Sequence, residues 1–383
     1  MVKSTQSTPS RLRLWVSLNL LLLARVVFGQ YETPWARLSP AFTPPAEFLN
    51  QFGGYRTPLL FSDGARANSA ADWAKRREEL LQQWHNLMGS WPPLLPQPKF
   101  EVMKESKREN FYQRRVRLEI ASGRMEEGWL LVPASAERLP AVLVPFYEPE
   151  TSIGLGQSEF RDFGYQLARR GFVTLSIGSP GGDARRPDPR RPGWQPLSFL
   201  AYVAANAHRT LAGLPEVDPA RIGVVGHSYG GKWAMFAACL YQPFACAAWS
   251  DPGIVFDETR PNVNYWEPWY LGFDPSREQQ RKPGVPVDTN PRTGAYKIMC
   301  ETERDLHELH ALMAPRPFLV SGGSEDPPSR WTALNHTVAV NALLGFTNRV
   351  AMTNRKEHSP NAESNEQIYL FFENFLKNRT SER

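Results

Sequence analysis

The segment 226–231 constrains the fold of this chain more than any other stretch. It reads Gly-His-Ser-Tyr-Gly-Gly, follows the apolar run 222–225 and leads into a helix-forming run. A Gly-x-Ser-x-Gly pattern between a strand and a helix predicts a sharp turn that lifts the Ser228 hydroxyl clear of a sheet. Gly226 and Gly230 lack Cβ atoms, so strand and helix can approach closely. The motif predicts Ser228 as a nucleophile; the alternative is a glycine-rich turn with an inert serine.

The rest of the chain alternates strands with helices around this turn. Residues 100–135 show apolar residues at every second position, which indicates antiparallel strands at a sheet edge. Further strands are predicted at 141–145, 172–177, 222–225, 246–249, 318–320 and 350–352, with helices at 157–170, 197–211 and 366–376. This order predicts an α/β-hydrolase fold, with a mostly parallel twisted sheet and helices on both faces.

The 383 residues divide into three predicted parts. Residues 1–29 have the basic start, apolar run and small residues of a secretory signal peptide. Residues 30–98 are expected to form an extended segment and an amphipathic helix at 72–88, both packed on the catalytic domain at 99–380. A membrane span is the competing interpretation of the leader, but its apolar run is short and Arg25 interrupts it.

These features predict a secreted or periplasmic protein without stable membrane insertion after cleavage. Loss of the four leader cations would lower the formal charge from +5 to +1, which gives no electrostatic reason for nucleic acid binding. The three cysteines lack metal-ligand spacing, so free thiols are expected; they are Cys239, Cys246 and Cys300. No metal or cofactor is predicted.

His358 is the predicted general base. In this fold the chain order is nucleophile, acid, histidine. Among the seven histidines, only His358 lies in a loop just past the last predicted strand, from which its ring can reach over the sheet. His227 is on the strand side of Ser228 and is expected to point away from it. The spacing of His307 and His310 is one residue shorter than in the zinc motif His-Glu-x-x-His, so packing roles are expected for them.

Two aspartates compete for the role of the acid that orients the histidine. Asp326 follows the penultimate strand, which is the usual position, and it is the preferred candidate. Asp251 follows the strand after the elbow helix and is the alternative, while Glu325 is a weaker third. The aspartate that is not the acid is expected to hold a lid or contact substrate.

Two backbone N–H groups are predicted to stabilise an oxyanion. One belongs to Tyr229, at the start of the helix after the serine. The second is expected from residues 146–148, centred on Tyr147.

Two insertions interrupt the alternation of strands and helices. The arginine-rich segment 181–196 either borders the site or is a solvated loop. The insertion 252–304 is rich in aromatic residues, which suits either a lid with a sugar-stacking wall or a small satellite core. In the first case its candidate substrate-binding residues are Trp266, Glu267 and Trp269.

Three segments resemble bacterial carbohydrate esterases, and by motif glucuronoyl esterases and acetyl xylan esterases most of all. They are the Gly-x-Ser-x-Gly-Gly-Lys string at 226–232, the residues 73–79 and the string 305–317 that ends in Ala-Pro-Arg-Pro. The resemblance covers residues 70–377 loosely. It implies that Lys232 binds a uronate and that Asp251 stands where these enzymes often have their acid. Glucuronoyl esterases have arginine directly after the serine, where this chain has Tyr229.

Together these features predict a secreted serine carboxylic-ester hydrolase. The expected substrates are esters of plant or algal polysaccharide, through deacetylation or cleavage of glucuronoyl esters. One alternative is a serine peptidase of the same fold, and another is a non-catalytic sugar-binding protein. Lys232 needs a polar or anionic partner, which is either a sugar oxygen or the carboxylate of Asp251 or Glu267.

Overall fold

The computed structural model describes residues 1–2, 33–186 and 193–377 of the chain. The predicted signal peptide at 1–29, apart from its first two residues, lies outside the described residues. Across the described segments, no helix combines the length and apolar character that a membrane crossing requires.

The described residues form one nine-stranded sheet, in the order β1-β2-β3-β5-β4-β6-β7-β8-β9. The strands are β1 (Phe100–Arg108), β2 (Phe111–Ala121), β3 (Arg124–Pro133), β4 (Leu139–Pro145), β5 (Val173–Ile177), β6 (Val217–His227), β7 (Cys246–Ser250), β8 (Phe318–Gly322) and β9 (Val350–Asn354). β1, β2 and β3 pair antiparallel, and β3 also runs antiparallel to β5. The other pairs are parallel, which confirms the predicted sheet.

Helices flank the sheet. They are α1 (Pro34–Leu38), α2 (Ala70–Met88), α3 (Pro149–Ser152), α4 (Phe163–Arg169), α5 (Pro196–Gly213), α6 (Tyr229–Leu240), α7 (Gly294–Glu301), α8 (His307–Ala311), α9 (Trp331–Leu343) and α10 (Ala362–Phe372). In β4, Ala141 and Leu143 join the core beneath α2, α5 and α6, whereas Val142 and Val144 join the core beneath α4 and α10. The alternation within one strand shows that both faces of the sheet are covered.

Two predicted helices have different bounds in the structure. The helix expected at 157–170 is reduced to α4, because Phe160 has a φ of 59° and cannot continue a right-handed helix. The closing helix begins earlier than expected. Asn361 and Ser364 form a reciprocal capping box there, in which each side chain accepts the other's backbone N–H.

The N-terminal segment packs on the domain through carbonyl groups. Arg76 in α2 donates to the Pro58 carbonyl at 3.0 Å. The rings of His307 and His336 hydrogen-bond to the carbonyls of Arg56 and Phe52. These two histidines therefore anchor the segment 52–56, and for His307 this is the packing role that the sequence predicts.

The aromatic insertion 252–304 packs inward. Tyr265, Trp266 and Tyr270 are buried and belong to the same hydrophobic core as α5 and α6. The insertion is largely irregular, with α7 as its longest helix. These three aromatic side chains extend the main core, so they form neither an exposed sugar-stacking wall nor a separate satellite core.

Candidate active site

Ser228 lies at the sharp turn between β6 and α6. Its φ of 53° and ψ of −111° are outside the regions that most residues adopt, so the surrounding structure must enforce them. Its N–H donates to the Ser250 carbonyl at 2.8 Å. A Cβ atom at Gly226 would clash with the Gly230 carbonyl, and one at Gly230 would clash with the Pro145 carbonyl. Both glycines are needed for the close approach of strand and helix, as the motif predicts.

His358 lies between Ser228 and Asp251. Its Nε2 is 2.9 Å from the Ser228 Oγ, and its Nδ1 is 2.7 Å from the Asp251 Oδ2. The ring retains 26% exposure at its side chain, whereas Asp251 is fully buried. Both distances are within hydrogen-bond range, so the hydroxyl proton can pass to the imidazole while the carboxylate orients the ring.

A set of backbone N–H groups surrounds the Asp251 carboxylate. Gly323 and Asp326 donate to Oδ1 at 2.7 and 2.9 Å, and Glu325 donates to Oδ2 at 3.3 Å. We call these three donors the acid cradle. Asp251 itself has a φ of 49°, which is uncommon for a residue other than glycine. The loop after β8, from which the acid was expected, therefore provides donors to an acid on the neighbouring strand.

The expected contact between Asp326 and His358 is not formed in the structure. The Asp326 carboxylate instead accepts the N–H groups of Gly253 and Ile254, at 2.9 and 2.6 Å. The Asp326 backbone N–H donates to the Asp251 carboxylate, whereas the Asp326 side chain points to the turn that follows Asp251 in the chain. Burial, and then the Asp251 charge, raise the pKa of Asp326. The two loops thus bind each other reciprocally, and the preference for Asp326 as the orienting acid is corrected in favour of the alternative, Asp251.

Glu325, the third candidate, lies close to His358 but has its hydrogen bonds to other residues. Its Oε1 accepts hydrogen bonds from the Ser324 hydroxyl and the Asn262 amide. Among the described residues, Asp251, Glu325 and His358 place one possible metal-ligand atom each within 4.8 Å of one another. All three side chains already have hydrogen-bond partners here, so this cluster carries no metal assignment.

His358 is flanked by His227, which was expected to point away from Ser228, and by Arg355, which the sequence analysis did not indicate. The His227 ring lies 4.8 Å from the His358 ring, and its Nδ1 is 3.1 Å from both oxygens of Ser250. Burial first, and then nearby cationic groups, hold the pKa of His227 well below its ordinary value, so its ring is neutral. Arg355 donates to the His358 carbonyl at 2.5 Å and to the Ser321 carbonyl at 2.9 Å. Its position three residues before His358 is the only sequence signal for this role.

The expected oxyanion donors belong to the start of α6 and to the segment after β4. The Tyr229 N–H is the first of α6, where no carbonyl of the helix can accept it. The Phe146 N–H donates to the Ile177 carbonyl at 3.1 Å, which removes it from consideration. Tyr147 follows it, and its ring stacks on the Tyr229 ring at 4.5 Å. Tyr229 stands at the position after the serine where the resemblance implies an arginine, and its buried ring is the one on which Tyr147 stacks.

Lys232 is buried one helical turn after Ser228. Its Nζ donates to the carbonyls of Pro252 and Asn262, at 2.6 and 3.1 Å. The ammonium also lies over the rings of Tyr265 and Tyr270, at 4.9 and 5.5 Å. Burial lowers the pKa of Lys232 to about 8. Within the described part of the chain, neither of the two carboxylates expected as partners pairs with it.

The three candidates in the insertion differ in exposure. Trp266 and Glu267 are buried, and the indole N–H donates to the Glu267 carboxylate at 3.2 Å. Glu267 also faces the Arg281 guanidinium at 3.6 Å. Neither side chain is open to a substrate in this structure. Trp269 is half-buried, and the Arg185 guanidinium lies 5.6 Å from its ring. Trp269 alone of the three presents a surface to solvent.

Comparison with solved structures identifies similar folds. A glucuronoyl esterase from Solibacter usitatus is 18% identical, with a TM-score of 0.66 over 84% of this chain and 97% of that one. An esterase from a marine bacterial metagenome, described as promiscuous and of carbohydrate esterase family 15, is 17% identical, with a TM-score of 0.65 over 86% and 98%. A glucuronoyl esterase of that family from Caldicellulosiruptor kristjansonii is 19% identical, with a TM-score of 0.59 over 88% and 93%.

No family model matches this chain, and no curated protein matches it. Sequence identities below 20% establish a shared architecture but not a shared activity. The strand order, the elbow at Ser228 and these structural neighbours agree, and the chain has the α/β-hydrolase fold.

Proposed function

We propose that this protein is a secreted serine carboxylic-ester hydrolase that acts on polysaccharide esters. The observation that carries the proposal is the position of His358, within hydrogen-bond distance of both the Ser228 hydroxyl and the Asp251 carboxylate. A serine becomes a useful nucleophile when a base accepts its proton and a third group orients that base. The leader sequence supports secretion.

In the proposed reaction, the Ser228 Oγ attacks the ester carbonyl carbon while the His358 Nε2 accepts the hydroxyl proton. The Asp251 carboxylate accepts the Nδ1–H and stabilises the imidazolium. The N–H groups of Tyr229 and Tyr147 donate to the oxyanion. His358 then protonates the leaving alcohol, and an acyl-serine remains. Water attacks the acyl-serine, His358 accepts its proton, and the acid is released as Ser228 regains its hydrogen.

The carbohydrate nature of the substrate is supported by the named activities of the structural neighbours, glucuronoyl esterases among them. Tyr229 in place of an arginine after the serine removes a cationic side chain from the oxyanion region. We therefore propose that the oxyanion is stabilised by backbone donors alone. The choice between an acetyl and a glucuronoyl ester is decided by a substrate panel that contains acetylated xylan, methyl-glucuronoyl esters and aryl acetates.

The proposal is tested by labelling with a fluorophosphonate and by the Ser228→Ala variant. The wild type is expected to react covalently at Ser228 and to hydrolyse aryl acetates. Ser228→Ala is expected not to be labelled, and its kcat is expected to be lower by about 10⁶, as is typical when a nucleophile is removed. Ser329→Ala, at an exposed serine in the loop after β8, is the matched control and should behave like the wild type.

Three results would contradict the proposal. A wild type that does not react with the fluorophosphonate would favour a non-catalytic binding protein. Labelling with amide but no ester hydrolysis would favour a peptidase of the same fold. More than a few per cent of the activity left in Ser228→Ala would exclude the serine mechanism.

A further inference from the structure

A groove lies beside the proposed catalytic residues, and apart from Tyr147 its lining residues take no part in the reaction above. Its volume is about 540 Å³, and it is bounded by β2, β3, the segment 147–150 and the turn at 178–182. We call it the Tyr147 groove. Both polar and apolar groups line it, and it opens to solvent.

The groove begins next to the nucleophile. The Tyr147 ring forms one wall and is 40% exposed, although it stacks on the buried Tyr229 ring at 4.5 Å. Ser179 also lines the groove, and its hydroxyl donates to the Tyr229 hydroxyl at 3.1 Å. Tyr229 is adjacent to Ser228 in the chain, and Tyr147 also carries the proposed second oxyanion N–H. The groove therefore adjoins the proposed oxyanion site.

The Tyr147 wall is suited to a sugar ring. An aromatic face packs against apolar C–H surfaces, and stacking on Tyr229 fixes the orientation of this face before a ligand arrives. Large exposed aromatic side chains that are held rigidly are a recurrent feature of binding surfaces. This wall supplies apolar contact but no specificity for hydroxyl groups.

Carboxylates elsewhere in the groove supply fixed acceptors. Glu126 accepts the Gly181 N–H at 3.0 Å, and Glu150 accepts the Trp129 indole N–H at 3.0 Å. Glu127 pairs with Arg115. Each ionised carboxylate has about four acceptor sites, so these contacts leave capacity for hydroxyl donors. The groove thus presents positioned acceptors opposite an apolar wall, which is the combination that a polyhydroxyl compound requires.

The charge of the groove argues against an anionic chain. Its lining contains four glutamates and one arginine, and Glu148, Glu150 and Arg117 are the exposed charged members without an ion-pair partner among the described residues. A uronate or sulfate in the groove would meet carboxylates without an excess of cations, which is unfavourable. The Arg185 guanidinium lies over Trp269, outside the lining of the groove.

From this arrangement we infer that the Tyr147 groove is a subsite for a neutral sugar of the polysaccharide chain that bears the ester. The inference rests on the proposed function and narrows it, because it selects substrates whose ester group is carried by a neutral glycan. The ring of Tyr147 contacts the sugar face, and the glutamates accept its hydroxyl protons in hydrogen bonds.

The test is titration calorimetry on the full-length Ser228→Ala protein, with xylotetraose, cellotetraose and tetragalacturonate as probes. At least one neutral tetraose is expected to bind, and tetragalacturonate is expected to bind at least about tenfold more weakly, a difference of about 1.4 kcal/mol. Arg117→Trp places a larger side chain in the groove from β2. It should weaken the binding of the neutral tetraose by about tenfold or more. Lys104→Trp, on the exposed edge strand β1, is the matched control and should bind like the parent protein.

Glu148→Arg keeps the test decisive if Arg117→Trp lowers the melting temperature, because residue 148 is exposed. This variant should bind tetragalacturonate more tightly than its parent. The inference is overturned if no neutral tetraose binds, if tetragalacturonate binds as tightly, or if neither variant changes binding. Fluorophosphonate labelling of the wild type separates this failure from failure of the proposed function, since labelling does not depend on the groove.

Discussion

Two buried aspartates, Asp251 and Asp326, follow adjacent strands of the sheet, but their carboxylates and backbone N–H groups have different partners. Asp251 directs its carboxylate at His358 and receives backbone N–H groups from the loop after β8. Asp326 directs its carboxylate at the backbone of the Asp251 loop and gives its own N–H to Asp251. The direction of the backbone, more than the residue type, decides which aspartate can orient the histidine.

The two loops have separate tasks in the proposed site. The loop after β7 carries the proposed acid, and the loop after β8 carries the donors that hold it. A carboxylate that accepts several N–H groups is stabilised in its ionised form, which is the form that supports an imidazolium. We therefore expect changes at the two aspartates to differ in size and in kind.

The largest difference is expected between Asp251→Asn and Asp326→Asn. Loss of the orienting acid typically costs about 10⁴ in kcat, because the imidazole loses its charge partner and its correct tautomer. Asp326→Asn is expected to cost at most about 100-fold, since it acts only by shifting the Asp251 loop. The measurement is kcat for an aryl acetate in both variants. A larger loss at Asp326 would reverse the assignment of the acid.

A second difference concerns the acid cradle. A Cβ atom at Gly323 would lie 2.6 Å from the Asp251 Oδ2 and would also clash with the Glu357 carbonyl. Gly323→Ala should displace the carboxylate and lower kcat by about 100-fold, the typical cost of a misplacement of about 1 Å. Gly213→Ala is the matched control, because nothing lies within 4 Å of its added Cβ. Equal activity in the two variants would show that the cradle does not position Asp251.

The pH dependence of stability should also distinguish the aspartates. Burial and the Asp251 charge raise the pKa of Asp326 to about 7, whereas an unfolded aspartate titrates near about 4. The folded chain thus retains a proton that the unfolded chain releases, and the free energy of unfolding should fall as pH rises from about 4 to about 7. The slope from one such group is at most about 1.4 kcal/mol per pH unit.

Asp326→Asn has no proton to release, so this part of the slope should be absent from the variant. Urea unfolding at several pH values between about 4 and about 7 measures the effect. Identical slopes for wild type and variant would assign the raised pKa to a different group.

The smallest effect is expected at Lys232, which holds the Asp251 loop through the Pro252 carbonyl. Lys232→Met leaves this carbonyl and that of Asn262 without their donor, but it also removes a buried charge. The net loss of stability should be about 1 kcal/mol. KM should change equally for sugar esters and aryl acetates. Lys297→Met, on the exposed side of α7, is the control. A rise in KM for sugar esters alone would instead assign Lys232 to substrate binding.

The sequence was sufficient to predict the elbow and the order of strands and helices, because these depend on local patterns. Glycines around Ser228 and apolar runs of five or six residues are readable without tertiary information. The placement of His358 beyond β9 follows from the chain order of this fold.

The acid could not be chosen from the sequence. Asp251 and Asp326 both follow strands at the same edge of the sheet, and the choice depends on a φ of 49° at Asp251 that no local pattern encodes. The burial of Trp266 could not be predicted either, since an aromatic cluster in an insertion is compatible with a core or with an exposed wall. Tertiary packing decides both cases.

The acid cradle also affects which mutations the loop after β8 can tolerate. Its three donors are main-chain groups, and every residue except proline provides one. The side chain of Ser324 is not a member of the cradle, so this position can change its polarity, size or charge without removing a donor. Proline at 325 or 326 would remove one. The side chain at position 324 can therefore vary during evolution while the orientation of His358 is preserved.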